Sequence, residues 1–441
     1  MGDVADPEVT DLLQGVLLAL GLVEEKGRAG KRGNVASGAI GASSDKETSR
    51  GITGETGMRS AGLIIRICVA SGEERRVVNG TLSAHKHSIK AIENDFGDIY
   101  DCVDIYKQPA FDHPLLQNLT LQMKPTTSLP NVNQGNFTSR LTASVGMMKE
   151  SCPSGTIPIL RRNLREDYKY LLTPSPTTGV VHKLRLVCMN WMMLQFAQIK
   201  MARGKYYGSA ADLNVYGLLE VGADQFSSSA IWVLNDGDGL GPLEQTNGIT
   251  VGWTVNPPLY GDTNTRLFTF WTADGFQKQG CYDLQCPGFV QVSRDVPLGG
   301  TISPLSQIDG TQYYIRLLIY RDPVTENWWL VMGEEEKLIG YWPKALFSTM
   351  IAHANLINWG GSAYSSSGEW SPPMGSGRYC EAGEGEACYF GRVKLVGERN
   401  VYRAVGDEEV KYYSSGCYDV GEFDDLSSGG GQFLFGGPGY C

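Results

Sequence analysis

The sequence predicts a mainly β protein: an antiparallel β-sandwich over residues 204–441, preceded by a small, partly β domain. Three observations carry this. Glycine supplies 55 of 441 residues, roughly 12% against a usual ~7%, which fits many tight turns and hence many short strands. From Gly204 onward, runs rich in Val, Thr, Phe, Tyr and Trp alternate with turn signals such as Asn256-Pro257-Pro258, Tyr260-Gly261-Asp262 and Ala273-Asp274-Gly275. Only residues 344–357, with Leu346, Met350, Ala354 and Ile357 on one stripe, read as a helix. A parallel α/β sheet needs a helix between strands, so the antiparallel sandwich follows.

Along the chain, residues 1–86 read as an atypical extension that is not the natural start of the protein. Their apolar stretch 12–23 is preceded by Asp3, Asp6, Glu8 and Asp11 where a signal peptide would carry Lys or Arg. Residues 24–60 hold almost no large apolar side chain, and such a composition is expected to be disordered. Residues 87–170 form the first domain, with strand-like runs at 88–106 and 118–123, where Leu119, Leu121 and Met123 share a face. Residues 171–203 read as a linker (TPSPTT at 173–178) with an apolar insertion at 184–196. Residues 313–320 are the clearest strand: Ile315, Leu317 and Ile319 alternate with Tyr314, Arg316, Leu318 and Tyr320. No stretch reaches the ~18–20 apolar residues of a membrane span.

A net charge of −10 argues against a nucleic-acid footprint, which needs clustered Lys and Arg. The ten cysteines form no CxxC pair and the five histidines are scattered; His85-Lys86-His87 reads as a solvated loop. Spacing favours disulfides instead, Cys281–Cys286 across one turn and Cys417–Cys441 around a Gly-rich tail. With the sequons at Asn79, Asn118 and Asn136, this points to the secretory route.

The usual catalytic signatures are missing: no GxSxG, HExxH or P-loop. His182 and Cys188 have nothing to orient them as base and nucleophile. Carboxylate chemistry needs two acids facing one cavity. Glu334-Glu335-Glu336 reads as a solvated hairpin tip and Glu381, Glu384 and Glu386 as a surface loop, while Glu369, opposite Trp370 on a strand, could face a groove. Aromatics are abundant, and Trp328-Trp329 must point to opposite faces, one inward and one toward an outer surface or groove. A concave sheet lined with Trp253, Tyr260, Trp342 and Trp359 would suit an extended peptide or a cell-wall polysaccharide.

These residues also carry a resemblance. DCVDIYKQPAFDHPLLQN (101–118) resembles the activation peptide of neprosin-type plant proteins. GKYYGSAADLNVY (204–216), LYGDTNTRLFTFWT (259–272), GCYDLQCPGFVQ (280–291), NWWL (327–330), GYWP (340–343), WGG (359–361) and MGSG (374–377) resemble its catalytic domain in order and spacing. The resemblance spans about residues 87–441. It implies a secreted zymogen, a β-sandwich and a glutamic endopeptidase cleaving after proline, with no metal or organic cofactor. Two glutamates would serve, one activating water and one stabilising the oxyanion. The motif resembling Ile-Glu-x-Gly-Trp here reads Ile249-Thr250-Val251-Gly252-Trp253, and Trp359-Gly360-Gly361 leads to Ser362. Thr250 and Ser362 thus occupy both acid positions, so the expectation is a catalytically impaired member that keeps a peptide-binding cleft. The alternative is an active endopeptidase drawing acids from other positions. Partners would be a proline-containing peptide and the chain's own activation-like domain.

Overall fold

The computed structural model describes residues 85–130, 141–161, 192–238, 245–275, 280–366, 369–406, 409–425 and 429–441, with the backbone alone at 64–65, 68–70 and 186–188. The expectations for residues 24–60, Asn79, Asn136, 173–178 and His182 lie outside the described residues.

Three strands, β1 (Ser88–Glu93), β2 (Ile99–Asp104) and β3 (Thr156–Leu160), form the sheet of the first domain. The Cys102–Cys152 disulfide ties β2 to the loop before β3. The larger body is two stacked sheets. One is eight-stranded and is built around β4 (Met192–Met201), β6 (Phe226–Asn235), β7 (Asn247–Val255), β8 (Arg266–Thr272), β9 (Gly280–Tyr282), β14 (Leu356–Ser366) and β16 (Val410–Ser414). Its central order is β4-β14-β6-β7-β8-β9, with β16 also on β4, all antiparallel. The second sheet is ten-stranded. It includes β5 (Gly208–Asn214), β10 (Val290–Gln291), β11 (Tyr313–Arg321), β12 (Trp328–Met332), β13 (Lys337–Trp342), β15 (Cys388–Val396), β17 (Asp419–Val420) and β18 (Gly431–Gly436).

Alternation decides which residues fill the space between the sheets. Ile231, Val233, Ile249, Val251 and Trp253 from the first sheet meet Leu213, Ile315, Leu317 and Ile319 from the second in one core. The alternation read at residues 313–320 appears here: the odd-numbered isoleucines and leucine face inward, while Leu318 and Tyr320 face the outer side.

That outer side of the second sheet is covered by the first domain. Ala110 packs in a cluster with Leu318, Tyr320, Trp329 and Tyr341, and Phe111, Leu119 and Leu121 lie against it. Leu119 and Leu121 therefore share a covered face, but as irregular chain without a strand, and Met123 is exposed. Polar ties hold the segment down. Gln108 and Gln291 exchange hydrogen bonds, Gln108 Nε2 to Gln291 O (3.1 Å) and Gln291 N to Gln108 Oε1 (2.8 Å). The fully buried carboxylate of Asp322 accepts from Thr126 N (2.7 Å), Thr126 Oγ1 (2.5 Å) and Gln122 Nε2 (3.2 Å).

Three expectations change. Residues 344–357 are no helix: a single 3₁₀ turn, Lys344–Leu346, gives way to turns and then to β14 from Leu356. Tertiary partners outbid the helical pattern. The Asn247 side chain accepts from the N–H groups of Ser348 (2.6 Å) and Thr349 (2.7 Å), and Trp328 Nε1 donates to Met350 O (3.0 Å). The stretch read as linker to 203 contains β4, which pairs with both β14 and β16, so residues 192–201 belong to the sheet. Trp328 and Trp329 do point to opposite faces, yet both are fully buried, because the first domain covers the outer one.

Candidate functional site

The outward face of the eight-stranded sheet carries both positions singled out by motif. Residues paired directly across strands share a face, so the register draws this surface in rows. One row runs Lys200, Asn358, Trp232, Thr250, Phe270, Tyr282. The next runs Gln198, Gly360, Ala230, Gly252, Phe268, and the third Phe196, Ser362, Ser228, Thr254, Arg266. The middle row has two glycines and an alanine at its centre. The result is a trough crossing β14, β6 and β7, with Thr250 on one wall and Ser362 on the other.

The glycines are obligatory there. A Cβ on Gly252 would overlap the Ser229 carbonyl oxygen, and one on Gly360, held at φ +142°, would overlap the Ala197 carbonyl oxygen. Gly252 lies two residues from Thr250 and Gly360 two residues from Ser362, so the same short segment makes both floor and wall.

Ideal spacing gives the width. Thr250 pairs with Trp232 and Ser362 with Ser228, four residues along β6, and β6 separates their strands. That is about 13 Å along and about 10 Å across, or about 16 Å between Cα atoms. Two glutamates, each reaching about 4–5 Å from Cα, would leave a gap of about 7 Å, room for a peptide bond and a water. Threonine and serine are too short to close it.

The seven named strands of this sheet contain neither Asp nor Glu. Ser228 Oγ donates to Thr254 Oγ1 (2.8 Å), which donates onward to Ser227 O (3.0 Å), so these hydroxyls have no basic partner in that chain. Beside the trough, Asp283 accepts from Tyr260 OH (3.0 Å) and Thr269 N (2.9 Å). Glu369 is exposed in a bend beyond β14 and lies on no strand, which removes the alternation argument for it. Glu334 does sit on a hairpin, but it accepts from Tyr314 OH (2.7 Å) and pairs with Arg392 and Arg316; burial alone would raise its pKa, and these partners outweigh it, lowering it to about 2.

The aromatic expectation changes more. Trp253, Trp342 and Trp359 are fully buried between the sheets, where Trp253 Nε1 donates to Asn214 O (2.8 Å) and Trp359 Nε1 to Ser209 Oγ (2.8 Å). These three line no cleft on the outward face. Tyr260 alone of the four packs on the outward side, against the cluster of Trp232 and Phe268. Sequence reasoning passed over the aromatics that are there, Trp232, Phe268, Phe270 and Tyr282, because alternation marks two faces without naming the covered one. It also passed over Lys200, whose ammonium lies 4.2 Å from the Tyr413 ring centre and whose pKa burial lowers to about 7. The disulfides read from spacing, Cys281–Cys286 and Cys417–Cys441, are formed, and Cys380 and Cys388 are unbonded.

Residues 223–438 match the family described as Neprosin, a span that contains both trough motifs. The chain belongs to the neprosin family. A second match, Neprosin activation peptide, covers residues 91–172, so the domain that packs over Trp329 is this neprosin-family chain's own activation-peptide domain. Among solved structures, scytalido-glutamic peptidase with a transition-state analog inhibitor is 11% identical, covers 57% of this chain and 100% of its own, and has a TM-score of 0.31. SCP-B, a member of the Eqolisin family of peptidases in complex with the tripeptide Ala-Ile-His, is 10% identical, covers 57% and 98%, and has a TM-score of 0.28.

Proposed function

We propose that this protein is a secreted neprosin-family member that binds an extended, proline-containing peptide in the trough and does not hydrolyse it. One observation supports the reading: Thr250 and Ser362, which stand where the motif resemblance expects glutamates, lie on a sheet whose seven named strands hold neither Asp nor Glu. A hydroxyl without a base beside it neither activates water nor protonates a leaving amine near neutral pH. The three disulfides among the described residues and the exposed Asn118 of its sequon support an extracellular setting.

The deciding experiment incubates the protein with a proline-containing reporter peptide at acidic pH, measuring binding and cleavage separately. Binding without cleavage is expected. The double substitution Thr250→Glu and Ser362→Glu is expected to introduce measurable cleavage, since it restores two carboxylates across the trough. Robust cleavage by the unmodified chain, lost in Asp283→Asn, would sink the reading and move the chemistry to the Tyr260–Asp283 pair.

A further inference from the structure

The trough has an asymmetric end. At β4 its floor row reaches Gln198 and its wall row Lys200, two residues apart on one face, and the rows continue to Tyr413 and Lys411 on β16. Gln198 is fully buried, and neither its amide oxygen nor its amide nitrogen has a hydrogen-bond partner. Buried side-chain amides are rarely left so, because each unmet group costs its desolvation. Lys200 is 6% exposed, stacked over Tyr413, with Lys411 paired opposite it on β16. Asn358 faces it from β14. An unmet amide beside a buried ammonium is the donor set for a carboxylate: Nε2 of Gln198 and Nζ of Lys200 both donate, and Oε1 accepts a peptide N–H.

We infer that the Gln198–Lys200 end of the trough is a subsite for a carboxylate of the bound peptide, either its C-terminus or an acidic side chain. This rests on the trough being the peptide site. Lys200 lies three strand spacings from Thr250, about 14 Å, which an extended peptide crosses in about four residues. The subsite would therefore select peptides carrying the charge about four residues from the one that passes Thr250.

The test measures binding of dye-labelled, proline-containing octapeptides to the full chain at pH 6, in three forms: free C-terminal acid, C-terminal amide, and amide with one internal Gln→Glu change. An acid form is expected to bind at least tenfold tighter than the neutral amide, and whichever acid form does so identifies the source of the carboxylate. Lys200→Met should reduce that form to the amide's affinity and leave the amide within about twofold, while Lys200→Arg keeps the preference. Raising the pH from 6 to 9 should erode the preference in the unmodified chain only. If Lys200→Met does not fold, Gln198→Leu is expected to weaken the acid form several-fold. Equal binding of all three peptides overturns the carboxylate subsite but leaves the trough reading standing. Absence of binding by every form overturns both.

Discussion

Replacing Arg266 by methionine should loosen the first domain from the sandwich. Arg266 ends the third row of the outward face and is 2% exposed. Its Nη2 lies 2.7 Å from Oδ1 of Asp98, and its Nη1 donates to Asp98 Oδ2 (3.1 Å) and Gly299 O (2.9 Å); Asp262 takes a second pair of contacts. Asp98, 8% exposed and adjacent to β2, is thus held across the domain boundary, and also accepts from Thr301 Oγ1 (2.9 Å), Tyr100 OH (3.0 Å) and Asn94 Nδ2 (3.1 Å). Deleting the cation strands a buried carboxylate, which costs about 3–5 kcal/mol. Asp98→Asn keeps the shape and leaves Arg266 its bond to Asp262, so a smaller loss, about 1.5–3 kcal/mol, is expected.

The pH dependence separates this ion pair from simple packing. Burial alone would raise the Asp98 pKa, but the hydrogen bond and charge of Arg266, with Thr301 and Tyr100, outweigh it and hold the group below its usual 3.8. A folded value depressed in this way gives stability that is fully present above the unfolded pKa and lost as pH falls through the folded one. The unmodified chain should therefore lose this increment below about pH 4, where Arg266→Met has little left to lose. Denaturant titration at pH 7 and pH 3, with limited proteolysis of the first domain, reads both effects. A loss under 1 kcal/mol at pH 7, or an undiminished gap at pH 3, would refute the reasoning.

Other perturbations follow from the same geometry. Asp322→Ala removes the acceptor of the Thr126 and Gln122 bonds and should cost about 1.5–3 kcal/mol per charged bond not remade, with faster proteolysis between residues 116 and 130. Trp329→Ala, at a fully buried position under the first domain, should cost about 3–5 kcal/mol by thermal or chemical denaturation. Gly252→Ala places a methyl group on the Ser229 carbonyl, so both peptide binding and melting temperature should fall; unchanged binding would place the peptide elsewhere. Removing Cys102–Cys152, with 50 residues of separation, should destabilise by about 4 kcal/mol, against about 2 kcal/mol for Cys281–Cys286, with a separation of 5.

Much of the site was legible because it is written in short motifs. Ile249–Trp253 and Trp359–Ser362 each hold a glycine with no room for a side chain, and Cys281 with Cys286 needs only one turn to meet. The row that turns Gly360, Ala230 and Gly252 into one trough needs β14 to pair with β6 from more than 100 residues away, and no local pattern reports that register. Lys200 was hidden for the same reason, in a strand whose pairing with β14 and β16 is set by residues far along the chain.

By itself, then, the sequence determined what alternation and local chemistry encode: an antiparallel sandwich, the family's motifs and the Cys281–Cys286 and Cys417–Cys441 disulfides. Tertiary structure decided which face of each strand is covered. It buried Trp253, Trp342 and Trp359 between the sheets and roofed Trp329 with the activation-peptide domain. It also converted residues 344–357 from a helical stripe into turns held by Asn247 and Trp328. The physical reason is the same in each case. A period of two names a pair of faces, and a polar side chain names a bond it can make, but only long-range register supplies the partner.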